Sequence, residues 1–171
     1  MENFKQVEPK TVRDNIFKLI GGDWMLVTSG EKDNFNTMTA SWGAMGVLWN
    51  KEIAISFIRP QRYTYKFANK YDIFTLSFFD EKYKEALKYC GSHSGRDVNK
   101  IAIAGLNPIF NESGGIYFNE AKLVMICKNI YFDDIKPENI LDRSIFNIYP
   151  KKDYHRMFIG EIKHCLVKNN I

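Results

Sequence analysis

Hydrophobic and polar positions alternate along much of this chain, and the period changes often enough to outline its elements. Ile53, Ile55 and Phe57 face one way and Ala54, Ser56 and Ile58 the other, which predicts a strand over Glu52 to Ile58. Trp24 to Thr28, Ile73 to Phe79 and Ala121 to Tyr131 are aromatic or β-branched runs of strand type. Ile145 to Tyr149 and Met157 to Val167 read as the closing strands. Helical spacing occurs at Val12, Ile16, Leu19 and Ile20, with Thr11 and Asp14 at the start and Gly21-Gly22 as the stop. Shorter helices are predicted over Arg62 to Lys70, from Asp80 through Tyr83, Leu87 and Cys90, and over Asp97 to Ala104. Asp133 to Asp142, with Pro137, reads as a connection or a short helix. Turns are expected at Glu31 to Asn34, at Gly105 to Pro108 and at Gly114-Gly115. The elements do not follow a regular βαβ alternation. They predict a mainly β chain with α additions: an antiparallel, Greek-key-like sheet closed into a barrel.

Composition narrows this picture. The 171 residues suit one domain spanning 1–171, with no repeat or linker to divide it. Aromatic residues make up 15% of the chain, so rings must fill a core, a pocket or a partner surface. A net charge of +4, scattered along the chain, argues against a nucleic-acid partner but suits a small anion. No apolar run is long enough for a membrane span, and MENFKQVEPK has no signal-peptide core. Cys90, Cys127 and Cys165 are far apart and form no C-x-x-C pair, so neither a disulfide framework nor a metal site is expected, and a reducing cytoplasm is the simplest setting.

Four stretches carry candidate chemistry. In Phe35 to Gly46 a strand passes into Ala40, Ser41, Gly43, Ala44 and Gly46 around Trp42. That pattern gives either a tight strand crossing or a wall whose backbone meets a flat ligand. Arg59-Pro60-Gln61-Arg62-Tyr63-Thr64 sets two guanidiniums and a hydroxyl beside a helix start, which is either a solvated basic turn or a phosphate site. Ser94, Arg96 and Lys100, in the loop after Cys90, either complete an anion site or belong to a capped Ser/Gly loop that also holds His93. His155, just before the last strand, is a proton donor or polar ligand at a pocket rim, or a structural histidine; Gly160 in that strand marks a bulge or a close approach.

Together, Asn36-Thr37-Met38-Thr39-Ala40-Ser41-Trp42, Arg59 to Thr64, Ser94-Gly95-Arg96-Asp97 with Lys100, and His155 with Phe158-Ile159-Gly160-Glu161 resemble the flavin reductase-like family, including its flavoredoxin-like members. The resemblance runs from about Gly22 to Leu166; Asp153-Tyr154-His155 stands where the family often has Gly-Asp-His. It implies an FMN-binding split β-barrel and a homodimer with FMN near the subunit interface. It further implies that Thr39, Ala40, Ser41 and Trp42 line the isoalloxazine ring. Arg59, Arg62, Tyr63 and Thr64 would hold the ribityl phosphate, with Ser94, Arg96 and Lys100 nearby. The expected activity is oxidation of NADH or NADPH through FMN, held as a prosthetic group or an exchangeable substrate, with electrons passed to free flavin or another acceptor. The alternatives are an FMN electron carrier reduced by a protein partner and a reductase specific for one acceptor. No Gly-x-Gly-x-x-Gly follows a strand, so a nicotinamide nucleotide would dock over the flavin rather than in a site of its own.

Overall fold

The strand Met25–Glu31 is buried along all but its last residue, because core lies on both of its faces. Met25 and Val27 pack with Leu19, Met38, Ala54, Phe74 and Phe158 on one side. Leu26 packs with Phe4, Leu87, Tyr117, Val124 and Leu166 on the other. The computed structural model describes residues 3–169. In chain order its strands are β1 (Phe4–Val7), β2 (Met25–Glu31), β3 (Asn34–Ala40), β4 (Gly43–Leu48), β5 (Lys51–Ile58), β6 (Ile73–Phe78), β7 (Pro108–Phe110), β8 (Ile116–Phe118), β9 (Leu123–Asp134) and β10 (Arg156–Lys168). The helices are α1 (Tyr63–Lys70), α2 (Lys84–Ser92) and α3 (Lys100–Ile103).

Hydrogen-bonded neighbours run β3-β2-β6-β9-β10-β5-β4, with β1 on β10 and a separate β7-β8 hairpin. Every pairing is antiparallel. The two end strands, β3 and β4, are consecutive in sequence and joined only by Ser41 and Trp42. Three Cα–Cα steps reach about 11 Å at most, so the sheet must curl until its ends almost meet at that link. The barrel is therefore split there rather than closed, which corrects the expectation of closure. The interior core fills the curl, and α2 with the β7-β8 hairpin covers the outer cluster.

Three sequence-based expectations need correction. The helix expected over 12–20 forms only in its second half: helical residues begin at Ile16 and continue as a wide turn, Lys18–Asp23, that runs through Gly21 and Gly22 instead of stopping at them. The turn sets Leu19 and Ile20 into the core, and their burial outweighs the low helix preference of the two glycines. The chain leaves that turn through Trp24 at φ 70°. The expected strand Ile145 to Tyr149 is a 3₁₀ segment, Arg143–Ile148, because Asp142 accepts from the Ser144 N–H and starts a turn (2.9 Å). The helix expected from Asp97 begins at Lys100, capped by Asn99, whose Oδ1 accepts from the Ala102 N–H. Strands β1, β4, β7 and β8 have no counterpart among the expected elements. Trp49 and Asn50, at φ 52° and 58°, make the two-residue left-handed turn that joins β4 to β5. All three cysteines are buried and free. No helix among the described residues is long and apolar enough to cross a membrane.

Candidate functional site

The seam of the split barrel is also where the candidate residues gather. Ser41 and Trp42 lie between the β3 ladder, which ends at Ala40, and the β4 ladder, which begins at Gly43. Neither ladder uses their peptide groups. A Cβ on Gly43 would stand 2.7 Å from the Ile55 carbonyl, so a small residue is needed where the chain re-enters the sheet. Beside this link a cavity of about 260 Å³ is lined by Thr39, Ala40, Ser41, Trp42, Arg59, Arg62, Gly91 and His155. Thr39 ties β3 to α2 by donating to the Leu87 carbonyl.

The two arginines do different things. Arg59 follows β5 and is committed to the segment that leads into β10. Its Nη1 pairs with Asp153 (2.8 Å), its Nη2 donates to the Ile148 carbonyl (3.0 Å), and its guanidinium lies over the Tyr149 ring. Arg62, at the start of α1, donates to the Gly91 carbonyl (2.8 Å) and has no carboxylate partner among the described residues. Burial, and then the nearby Arg59, make its protonated form less favourable than usual. Lys100 is buried in the same condition. Its ammonium donates to the carbonyls of Cys90 (3.0 Å) and His93 (3.2 Å), and burial pushes its pKa down to about 8, with Arg62 adding to the effect. Two cations thus sit on the carbonyl end of α2 without a counter-ion, an arrangement that an anion would relieve.

The remaining predicted residues divide. Tyr63, Arg96 and Lys100 line a neighbouring cavity of about 660 Å³ with Asn36 and Gly95. Arg96 stacks on the Tyr63 ring, and the Tyr63 hydroxyl takes a bond from Lys66 (2.7 Å). Thr64 is fully buried and accepts from Asn36 (2.7 Å), so its hydroxyl is used within the fold. Ser94 caps its own turn, its Oγ accepting from the Arg96 N–H (3.2 Å). Neither Thr64 nor Ser94 lines either cavity. Sequence reasoning missed Gly91 as the carbonyl that anchors Arg62. It also missed Tyr149, whose hydroxyl meets His155 Nδ1 at 2.8 Å.

His155 is buried, with its ring 4.8 Å from that of Trp42. Burial first and Arg59 second push its pKa down to about 4, with Asp153 opposing. The imidazole is therefore neutral near neutral pH. Because the folded value lies below the ordinary 6.5, the unfolded chain takes up a proton that the folded chain refuses. This contribution leaves stability intact above pH 6.5, erodes it as the pH falls toward 4, and levels off below that. The loss is on the order of 3 kcal/mol. Urea midpoints of wild type and His155→Gln at about pH 7.5 and about pH 4.5 check this. The variant should lose less stability on acidification; equal losses would refute the assignment.

A family model described as a flavin reductase like domain matches residues 18–171. The chain belongs to the flavin reductase-like family. No curated protein sequence matches it. Among solved structures, flavoredoxin of Desulfovibrio vulgaris (Miyazaki F) is 25% identical, over 84% of this chain and 68% of that one, with a TM-score of 0.65. An FMN-binding protein from Thermus thermophilus, solved with 1-cyclohex-2-enone, is 18% identical over 94% of this chain and 79% of that one (TM-score 0.66). Nitrilotriacetate monooxygenase component B from Bacillus cereus is 19% identical over 93% and 79% (TM-score 0.65). The last two likenesses carry the family's split-barrel fold.

Proposed function

We propose that the chain is an FMN-binding oxidoreductase that uses NADH or NADPH to reduce flavin or another acceptor. The observation that carries this reading is Arg62, a cation without a counter-ion in the cavity beside the Ser41-Trp42 link, with the buried Lys100 behind it on the same carbonyl end of α2. A phosphate dianion suits the first feature, and a flat ring suits the small-residue backbone and the Trp42 indole. FMN would supply the hydride- and electron-accepting ring. The residues of this chain would bind and orient it: Arg62, backed by Lys100, at the phosphate; Thr39 to Trp42 along the ring; His155 at the rim. Arg59 holds the wall through Asp153 in this reading.

We further propose that two copies act together, in a reducing cytoplasm. An apolar groove of about 690 Å³ runs from Trp42 past Ala44 and Met45 to Ile16 and Phe17, and Phe17 is 89% exposed. A second chain on this face would cover that surface and wall in the site. The likeness to a flavoredoxin favours a second reading, an FMN electron carrier reduced by a protein partner.

The test is the visible spectrum of the purified protein before and after adding FMN. Flavin bands or quenched FMN fluorescence should appear, followed by bleaching with NADH or NADPH. A holoprotein inert to both nucleotides but bleached by a ferredoxin-like donor would select the carrier. No binding at all would remove both readings.

A further inference from the structure

The cavity wall contains a hydrogen bond whose direction can be derived. Tyr149 is 4% exposed, and its hydroxyl has one side-chain partner among the described residues, His155 Nδ1 at 2.8 Å, with the His155 backbone N–H also facing its oxygen. If Nδ1 carried the proton, the phenol would accept, and its own O–H would be left without an acceptor in a buried place. A buried donor left unpaired is unfavourable, whereas the reverse direction satisfies both groups. Burial raises the Tyr149 pKa and so keeps the phenol protonated and able to donate. The surroundings select against an imidazolium as well: Arg59 lies over the Tyr149 ring, and its one carboxylate neighbour, Asp153, is already paired with it. Tyr154 packs on the Tyr149 ring and Trp42 on the imidazole, and neither adds a charge.

We infer that Tyr149 is a positioning residue: its hydroxyl donates to His155 Nδ1 and holds the imidazole as the Nε2–H tautomer, presenting a neutral N–H donor at the cavity wall. Nε2 has no partner among the described residues, so that donor is free for an oxygen of the bound group. The matching chemistry is a carbonyl-type acceptor, on the flavin edge or on a substrate laid over it. The choice of guest rests on the flavin reading above; the tautomer does not. The Arg59–Asp153 pair and the bond from Arg59 to the Ile148 carbonyl fix the segment that presents Tyr149.

The test is proton–nitrogen correlation spectroscopy on protein with labelled histidine, without flavin. The chain has three histidines, and the signals lost in His155→Gln identify those of His155. In the wild type, Nδ1 should give a pyridine-type signal and Nε2 a pyrrole-type one. Tyr149→Phe should convert this into a mixture of the two tautomers while the remaining histidine signals stay in place. A wild-type Nδ1–H would overturn the inference without any variant. An unmixed Nε2–H form in Tyr149→Phe would also overturn it, because something else would then set the tautomer. Titrating FMN into the same samples separates the two claims. A chain with the stated tautomer that binds no FMN keeps the positioning role and loses the flavin reading.

Discussion

Replacing Arg62 with alanine should weaken FMN binding roughly ten- to hundredfold while leaving the empty protein at least as stable as the wild type. The first half follows from the strength of charged hydrogen bonds, about 1.5–3 kcal/mol each, with about 1.4 kcal/mol per tenfold in affinity. The second half follows from the state of the side chain. Arg62 is half-buried, makes one bond to Gly91, and lacks a counter-ion, so burial already disfavours its charge. Removing an uncompensated cation need not destabilise a fold. Arg59→Ala should behave differently, because it leaves Asp153 with only Gln61, strips the Ile148 carbonyl of its donor and so loosens the wall that holds His155. Flavin fluorescence titrations and urea midpoints on the two variants separate these effects. Unchanged FMN affinity in Arg62→Ala would move the phosphate elsewhere. Reduced stability of the empty variant would mean that the guanidinium is structurally satisfied.

Gly160→Ala should be the more damaging change to the fold, by about 3 kcal/mol. A Cβ at that position would stand 2.6 Å from the Phe74 ring and 2.7 Å from Cys127 Cβ, both deep in the core. Neither neighbour can swing aside, since Phe74 is 1% exposed and Cys127 fully buried. The melting temperature should fall by roughly 6–12 °C for a chain of this size. Gly46→Ala is the matched control, because nothing lies within 4 Å of its added Cβ. If both substitutions shift the melt equally, the close approach at Gly160 is not what the position requires.

Gly160 also shows what the sequence reveals and why. A glycine in a run of strand residues signals a bulge or a close approach, and both occur: the β9-β10 register shifts between Ile159 and Gly160 as the ring of Phe74 comes in. The alternation in Glu52 to Ile58 was equally legible, because one rule, period two, governs it. The turn at Trp49-Asn50 was not, since it lacks the Asn-Gly pair that usually marks a left-handed hairpin turn. Strands β7 and β8 are three residues each, too short to show a period. At the site, Thr39 to Trp42, Arg59, Arg62 and His155 were readable as a set, and the fold brings them to one cavity. The partners that decide how each acts were not readable. Asp153 and Gly91 reach Arg59 and Arg62 from distant parts of the chain, which no local spacing encodes, and Tyr149, only six residues before His155, meets it because the chain turns back after the 3₁₀ segment.

On the flavin reading, the burial of the three cysteines has a further consequence. Reduced flavins pass electrons to oxygen and yield peroxide, and the thiolate is the form of cysteine that peroxide attacks. Burial raises the pKa of all three thiols, that of Cys165 to about 11. They are therefore protonated and out of reach together. On the flavin reading, the three thiols are insulated from the oxidant that turnover would generate.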